Sequence, residues 1–211
     1  MTPVTSDAIL GANASPSLLE ATFPRLVSGI SAPTRAALLA IAGSVLLIVS
    51  AKVQVPMWPV PMTMQSFVVL FLGAALGPRL GAASVALYLA QGFAGLPVFA
   101  IPGAAGPAYF LGTTGGFLLS FIPAAWVAGH FSRHGASLLR VGTGMLLAHA
   151  LILVLGMAWL ASLAQLASGA MGVGLTRAFA VGVQPFIAGS LVKVALATAL
   201  ISAGWSLVRQ R

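Results

Sequence analysis

Ser190 and Lys193 stand three residues apart in "GSLVKVALATALISAG" (189–204), a stretch that is otherwise apolar. On a helix this spacing places the hydroxyl and the ammonium on one face, with Phe186 two turns before the lysine. A lysine in the middle of a membrane helix costs roughly 2.5–3.5 kcal/mol to insert. Two readings meet that cost. Either the side chain snorkels to the surface, or its ammonium is held by carbonyls, hydroxyls or an anionic ligand. The lysine lies about ten residues, or about 15 Å, from the outer end of its span. A salt bridge inside the membrane is excluded, because the two acids of the chain, Asp7 and Glu20, precede every span. A cation beside a hydroxyl in apolar surroundings suits a carboxylate-bearing, otherwise weakly polar solute.

Other chemistry is restricted by what the chain lacks. There is no cysteine, so disulfides, zinc-thiolate sites and thiol nucleophiles do not arise. No carboxylate in the spans means no acid–base dyad and no hard-metal cage. His130 and His134 are four apart, a spacing that could hold a metal, but no third ligand is near, and a solvated helix end is the better reading. His149 lies inside a span and is read as a hydrogen-bonded packing residue. No ATP-binding signature occurs. Uphill movement of a solute would therefore draw its energy from another polypeptide. No cofactor is implied, and no set of acid, base and nucleophile marks an enzyme.

These residues sit on membrane helices. Hydrophobic residues make up 59% of the chain and charged residues 6%, against about 25% charged in soluble domains. The mean hydropathy of +1.05 agrees. A span needs about 20 apolar residues, and the intervals between charges predict six: 36–51, about 63–77, 80 to about 95, 112–130, about 141–163, and about 183–207. The expected fold is an all-α membrane protein of six transmembrane helices. Residues 1–33 form an N-terminal cytoplasmic or interfacial arm, and 34–211 form the membrane domain.

An even number of spans puts both termini on one side. Arg25, Arg35, Arg79, Arg133, Arg140, Arg209 and Arg211 then share that side, and Lys52 and Arg177 the other. The asymmetry predicts cytoplasmic termini. The net charge of +8 is thus an orientation signal with attraction to anionic lipid. Basic residues scattered one or two per loop make no nucleic-acid footprint.

Two outer connections stand out. "VQVPMWPVPMTMQS" carries prolines at 56, 59 and 61. Proline lacks a backbone donor and disfavours helix before it, so this stretch is extended. It is expected to fold inward, presenting Met57, Trp58 and Met62. "LPVFAIPGAAGPAYFLGTTGG" (96–116) is long, uncharged and glycine-rich, and reads as a lid over a buried ligand. Small residues recur at fours: Gly73, Gly77 and Gly81, then Gly112 and Gly116, and Ala32, Ala36 and Ala40 at the start of span one. Such ridges let helices approach closely. The glycine sets are expected to pack within the chain, and the alanine set either within it or against a partner helix.

Three stretches, "PVPMTMQSFVVLFLGAALGPRLGAASVALYLAQGFAGLPVF", "FLGTTGGFLLSF" and "PFIAGSLVKVALA", together resemble the BioY family, the biotin-specific substrate-binding components of energy-coupling-factor (ECF) transporters. The similarity covers about residues 35–208. It implies a six-helix S-component fold in a bacterial cytoplasmic membrane, with biotin held near the outer face. It also implies a transmembrane coupling subunit, docked on the Ala32, Ala36 and Ala40 ridge, and two ATP-binding cassette subunits that supply ATP hydrolysis. It leaves a homo-oligomer open. The family's TGG turn falls on Thr114, Gly115 and Gly116. The aromatic after it, usually tyrosine, is Phe117 here. Lys193 matches the family lysine, whereas the aspartate often found three residues earlier is Ser190. Gln65 and Tyr88 lie in well-matched stretches as polar or stacking contributors, and Phe186 and Phe117 would pack on the apolar part of the ligand. Two alternatives remain at this point: an S component for another small vitamin, and a non-transporting membrane scaffold.

Overall fold

The computed structural model describes residues 18–22, 30–56, 59–101, 103–133 and 136–210. A five-residue helix, α1 (Leu18–Thr22), precedes α2 (Ala32–Lys52). Ser31 caps α2, its hydroxyl accepting from the Thr34 amide at 3.4 Å, and Pro33 sits in the first turn, where no amide donor is needed. Gly43, Ser44, Leu47, Ser50 and Ala51 turn one face of α2 inward. Leu38, Ile41, Val45 and Val49 leave the other face apolar and exposed.

After α2 the prolines enforce the expected extended path. Strand β1 (Gln54–Val55) pairs antiparallel with β2 (Met62–Thr63), Gln54 opposite Thr63 and Val55 opposite Met62. Between them the chain dips inward, burying Pro59 and Val60. Met57 and Trp58 lie outside the described residues. Helix α3 (Gln65–Leu76) follows at once and buries nine of its 12 residues. At about 1.5 Å per residue it is roughly 18 Å long, well short of the roughly 30 Å hydrocarbon core. It serves as the central post of the bundle, with α2 and the helices spanning Pro78–Phe93, Gly115–Phe131 and Ile187–Arg209 packed around it.

Helices α3 and α4 (Pro78–Phe93) meet at a sharp turn. Gly77 occupies φ +85° there, a left-handed backbone that a side chain resists. The glycines at 73, 77 and 81 therefore do not form a ridge along one helix. Gly77 makes the corner, and Gly81 folds back against the Gly73 backbone. A Cβ on Gly73 would in turn meet the Ala125 carbonyl of α6 (Gly115–Phe131). These contacts are internal packing, as the glycine pattern predicts.

The connection 94–114 holds one short helix, α5 (Pro107–Leu111). Helix α7 (Leu138–Ser162), capped by Ser137, pairs with α6 in the densest contact of the fold. Then come α8 (Leu175–Gly182), a 3-10 turn (Gln184–Phe186) and α9 (Ile187–Arg209). Among the described residues, three apolar segments are long enough to cross a membrane: α2, α7 and the continuous stretch Leu175–Arg209.

The bundle has two distinct ends. At one, Trp205 donates to the Ser132 carbonyl, Arg209 donates to the Ala136 carbonyl, and Leu18 of α1 covers Gly204. At the other, the connections after α2, α4 and α7 converge. The Thr113 hydroxyl donates to the Pro59 carbonyl at 3.1 Å, and the Gln165 amide donates to the Leu111 carbonyl at 2.7 Å.

Candidate functional site

Helix α9 carries Ser190 and Lys193 on its inward face, each 8% exposed. The ammonium does not snorkel. Its Nζ donates to the Thr63 carbonyl at 2.6 Å and to the Ser66 hydroxyl at 3.3 Å. Thr63 is the last residue of β2, just ahead of α3. The proline-driven extended segment therefore delivers a main-chain acceptor to a cation 130 residues further along the chain. Among the described residues, a carbonyl and a hydroxyl satisfy the charge.

Helix α7 brings His149 to the same place. Its Nε2 lies in hydrogen-bond contact with Ser190 Oγ at 2.7 Å. Its Nδ1 is buried and has no hydrogen-bond partner among the described residues. Phe186, in the turn that leads into α9, is 9% exposed and closes this corner.

Two small adjoining chambers, of about 60 and 50 Å³, lie between the helices. The first is bordered by Ser66, His149, Ile152, Leu153, Phe186, Ser190 and Lys193. The second is bordered by Gln65, Phe99, Ala100, Tyr109, Thr114 and Leu118. Val60, Pro61, Thr63, Phe117 and Phe121 border both. The site as a whole is therefore amphipathic. It has a cationic, hydroxyl-bearing end and an amide-, phenol- and hydroxyl-bearing end, joined across an apolar waist. Such an arrangement holds a solute with polar groups at both ends and an apolar middle.

Phe99 and Tyr109 bring the glycine-rich connection over the second chamber, stacked on each other with ring centroids 4.8 Å apart. This segment is tied down from α2 and β1. Lys52 donates to the Phe99 carbonyl and, at 3.2 Å, to that of Pro97, while Gln54 donates to the Ala100 carbonyl at 3.3 Å. Its far end is pinned by the Trp159 indole, which donates to the Gly112 carbonyl at 2.9 Å.

Of the residues singled out from sequence, Lys193, Ser190 and Phe186 border the first chamber, Gln65 and Thr114 the second, and Phe117 both. Tyr88 borders neither. It is fully buried behind Gln65, whose amide donates to the phenol oxygen at 2.6 Å, and its ring meets Phe99 edge-on. The Gln65 carbonyl oxygen accepts from the Thr63 hydroxyl at 3.1 Å. Gly116 also borders neither chamber, and its bare Cα admits the Trp159 side chain of α7. Met62 lies against Gly189. Ala32 is exposed, and Ala36 and Ala40 are half-buried along α2. His130 stacks on Trp126 at the far end of α6, and His134 lies outside the described residues. No metal-binding group of three is found among the described residues.

Thr63, Ser66, His149 and Tyr109 escaped the sequence reading as site residues. His149 had a signal, as the one ionisable side chain of α7 beyond its first turn. Ser66 and Thr63 flank Gln65 in "TMQS", a polar break between the proline segment and an apolar helix.

Comparison with known proteins agrees with this architecture. The sequence profile of the BioY family matches residues 21–210. A probable biotin transporter BioY from Pyrococcus horikoshii is 38% identical over 149 residues, covering 71% of this chain and 83% of that protein. The biotin transporter BioY of Rhizobium etli is 38% identical over 151 residues, covering 67% and 76%. That of Thermotoga maritima is 31% identical over 169 residues, covering 72% and 85%. The fold resembles the crystal structure of the S-component for biotin from an ECF-type ABC transporter, with a TM-score of 0.62 at 22% identity, covering 87% of this chain and 96% of that one. The short central α3, the inward proline segment and the two-chamber site at one end of the bundle thus sit in a chain that belongs to the BioY family.

Proposed function

We propose that this protein is the membrane-embedded biotin-binding subunit of a vitamin importer, capturing biotin at the outer face for delivery inward. The observation that carries the reading is the paired chamber. Biotin has a carboxylate at one end, a ureido ring at the other and apolar carbon between. The chambers offer Lys193, Ser190 and Ser66 at one end, Gln65, Tyr109 and Thr114 at the other, and Phe117, Phe121 and Val60 between. The family membership and the names of the relatives support the choice of vitamin.

The reading includes six membrane spans with both termini cytoplasmic. Its support is the charge distribution: Arg35, Arg79, Arg133, Arg140 and Arg209 lie towards the end that holds the termini, against Lys52 and Arg177 at the chamber end. The membrane is the bacterial cytoplasmic membrane. ATP hydrolysis comes from two ATP-binding cassette subunits through a transmembrane coupling subunit, which meets α2 at Ala32, Ala36 and Ala40. Biotin is the ligand, and the chain itself needs no cofactor and performs no catalysis.

The test is co-purification. The protein isolated in detergent should carry biotin in near-equimolar amount, released on denaturation and identified by mass spectrometry. Added biotin should rebind to the emptied protein in competition with neither thiamine nor riboflavin. A preparation that neither retains nor rebinds biotin would remove the assignment.

A further inference from the structure

His149 borders the Lys193 chamber and is only 4% exposed. Its Nε2 is spent on Ser190 Oγ, and the Ser190 hydroxyl makes no other hydrogen bond among the described residues. An imidazolium here would set a second positive charge beside the Lys193 ammonium, with no acid in any long helix to offset it. The ring is therefore neutral and carries one N–H, on either nitrogen. A proton on Nδ1 would bury a donor with no acceptor, because Nδ1 has no partner among the described residues. A proton on Nε2 would place the donor against Ser190 and leave only a lone pair unmet. Buried orphan donors are the rarer fault in folded proteins.

We propose that His149 keeps its proton on Nε2 and donates it to Ser190 Oγ, so that the Ser190 hydroxyl donates into the chamber beside the Lys193 ammonium and the two together grip an acceptor-only oxygen of the ligand. His149 is then a positioning residue that sets the hydrogen-bond polarity of the subsite. Groups that present N–H to this end would meet donors facing donors and be rejected. The inference rests on the biotin reading for the identity of the ligand. Biotin offers two oxygens of the required kind, the carboxylate and the ureido carbonyl.

Histidine-selective 15N spectra of the full-length protein in detergent read the tautomer without any ligand. The His149 signal, assigned by its loss in His149→Gln, should show a pyrrole-type Nε2 and a pyridine-type Nδ1, and the reverse pattern overturns the proposal. Biotin titrations then test the coupling. Ser190→Ala and His149→Leu should each weaken binding about tenfold, and the double variant no more than either single one, because one hydrogen-bond unit is being removed. His149→Gln, whose amide donates at a similar reach, should stay within about threefold of the parent. Multiplicative losses in the double variant, or a Gln variant as weak as Leu, overturn the positioning role. Should His149→Leu fail to fold, Ser190→Ala and His149→Gln carry the same contrast. A biotin analogue lacking the carboxyl group and 2-iminobiotin separate the two oxygens. The analogue altered at the end facing Ser190 should be insensitive to Ser190→Ala, while the other keeps the tenfold loss. Full sensitivity of both analogues counts against the subsite. A parent protein that binds no biotin sinks the vitamin assignment but leaves the tautomer test standing.

Discussion

Lys193 donates a hydrogen bond to the carbonyl oxygen of Thr63, 2.6 Å away, across 130 residues of sequence. The contact joins the last helix to the proline-bent segment that enters between the helices, and it holds a full charge by a carbonyl and a hydroxyl among the described residues. The same ammonium borders the chamber that Ser190 and His149 share. Structural and ligand-binding demands on Lys193 are therefore separable by substitution.

Lys193→Met keeps the length and apolar stem and removes the charge. The protein should insert and fold, because an apolar residue at this depth relieves the roughly 2.5–3.5 kcal/mol insertion cost of lysine and forfeits only the bonds to Thr63 and Ser66. Biotin affinity should fall about 10- to 150-fold, the size of one charge-assisted hydrogen bond. Calorimetric titration in detergent, with circular dichroism as the folding control, gives both numbers. An affinity within twofold of the parent would place the ligand away from this end.

The fate of the flagged residues shows what a sequence discloses. Lys193 was legible because the cost of a charge in lipid does not depend on the fold. The non-helical path into α3 was legible because proline fixes its own backbone, and the described residues there form the short strands 54–55 and 62–63. Partners were not. Nothing local in "QSFVV" says that the Gln65 amide, besides bordering a chamber, also donates to Tyr88, since that contact is made by the approach of α3 to α4. Gly116 belongs to a turn whose neighbours frame the site, yet its missing side chain serves Trp159 on another helix. His149 was read as a packing histidine, and its hydrogen bond to Ser190 agrees. Its place on the chamber wall follows only once α7 and α9 are set side by side.

Lys52 and Gln54 tie the 97–100 segment down by its carbonyls, and Phe99 and Ala100 border the second chamber. Lys52→Met should leave the bundle intact and loosen this cover. Because Lys52 is exposed, the effect should be modest, about a 3- to 10-fold faster release of biotin. A radiolabelled-biotin chase measures the rate, and hydrogen exchange at 98–101 should rise in parallel. Unaltered release with faster exchange would show that this segment does not gate the ligand.

Gly116→Val should act on stability. Its side chain would collide with Trp159 and the Leu155 carbonyl in the most extensive helix pairing of the fold. Overpacking of this kind costs about 1–3 kcal/mol, which lowers the melting temperature by roughly 2–12 °C for a chain of this size. Thermal unfolding in detergent reads the shift. An unshifted transition would mean that α6 and α7 yield more readily than their packing implies.

Ala36→Leu addresses the partner interface. Ala36 is half-buried on α2, on the edge that also carries Ala32 and Ala40, and borders neither chamber. A leucine there adds bulk where a close helix approach needs a small residue. Co-expressed with the coupling and ATP-binding cassette subunits, the variant should bind biotin like the parent, within twofold. It should recover at least about fivefold less of the coupling subunit on affinity purification, a loss of about 1 kcal/mol in helix packing. Equal recovery of the complex would move the docking surface off this edge of α2. Loss of biotin binding in the same variant would instead tie the edge to the chambers through α4, the helix on which α2 packs.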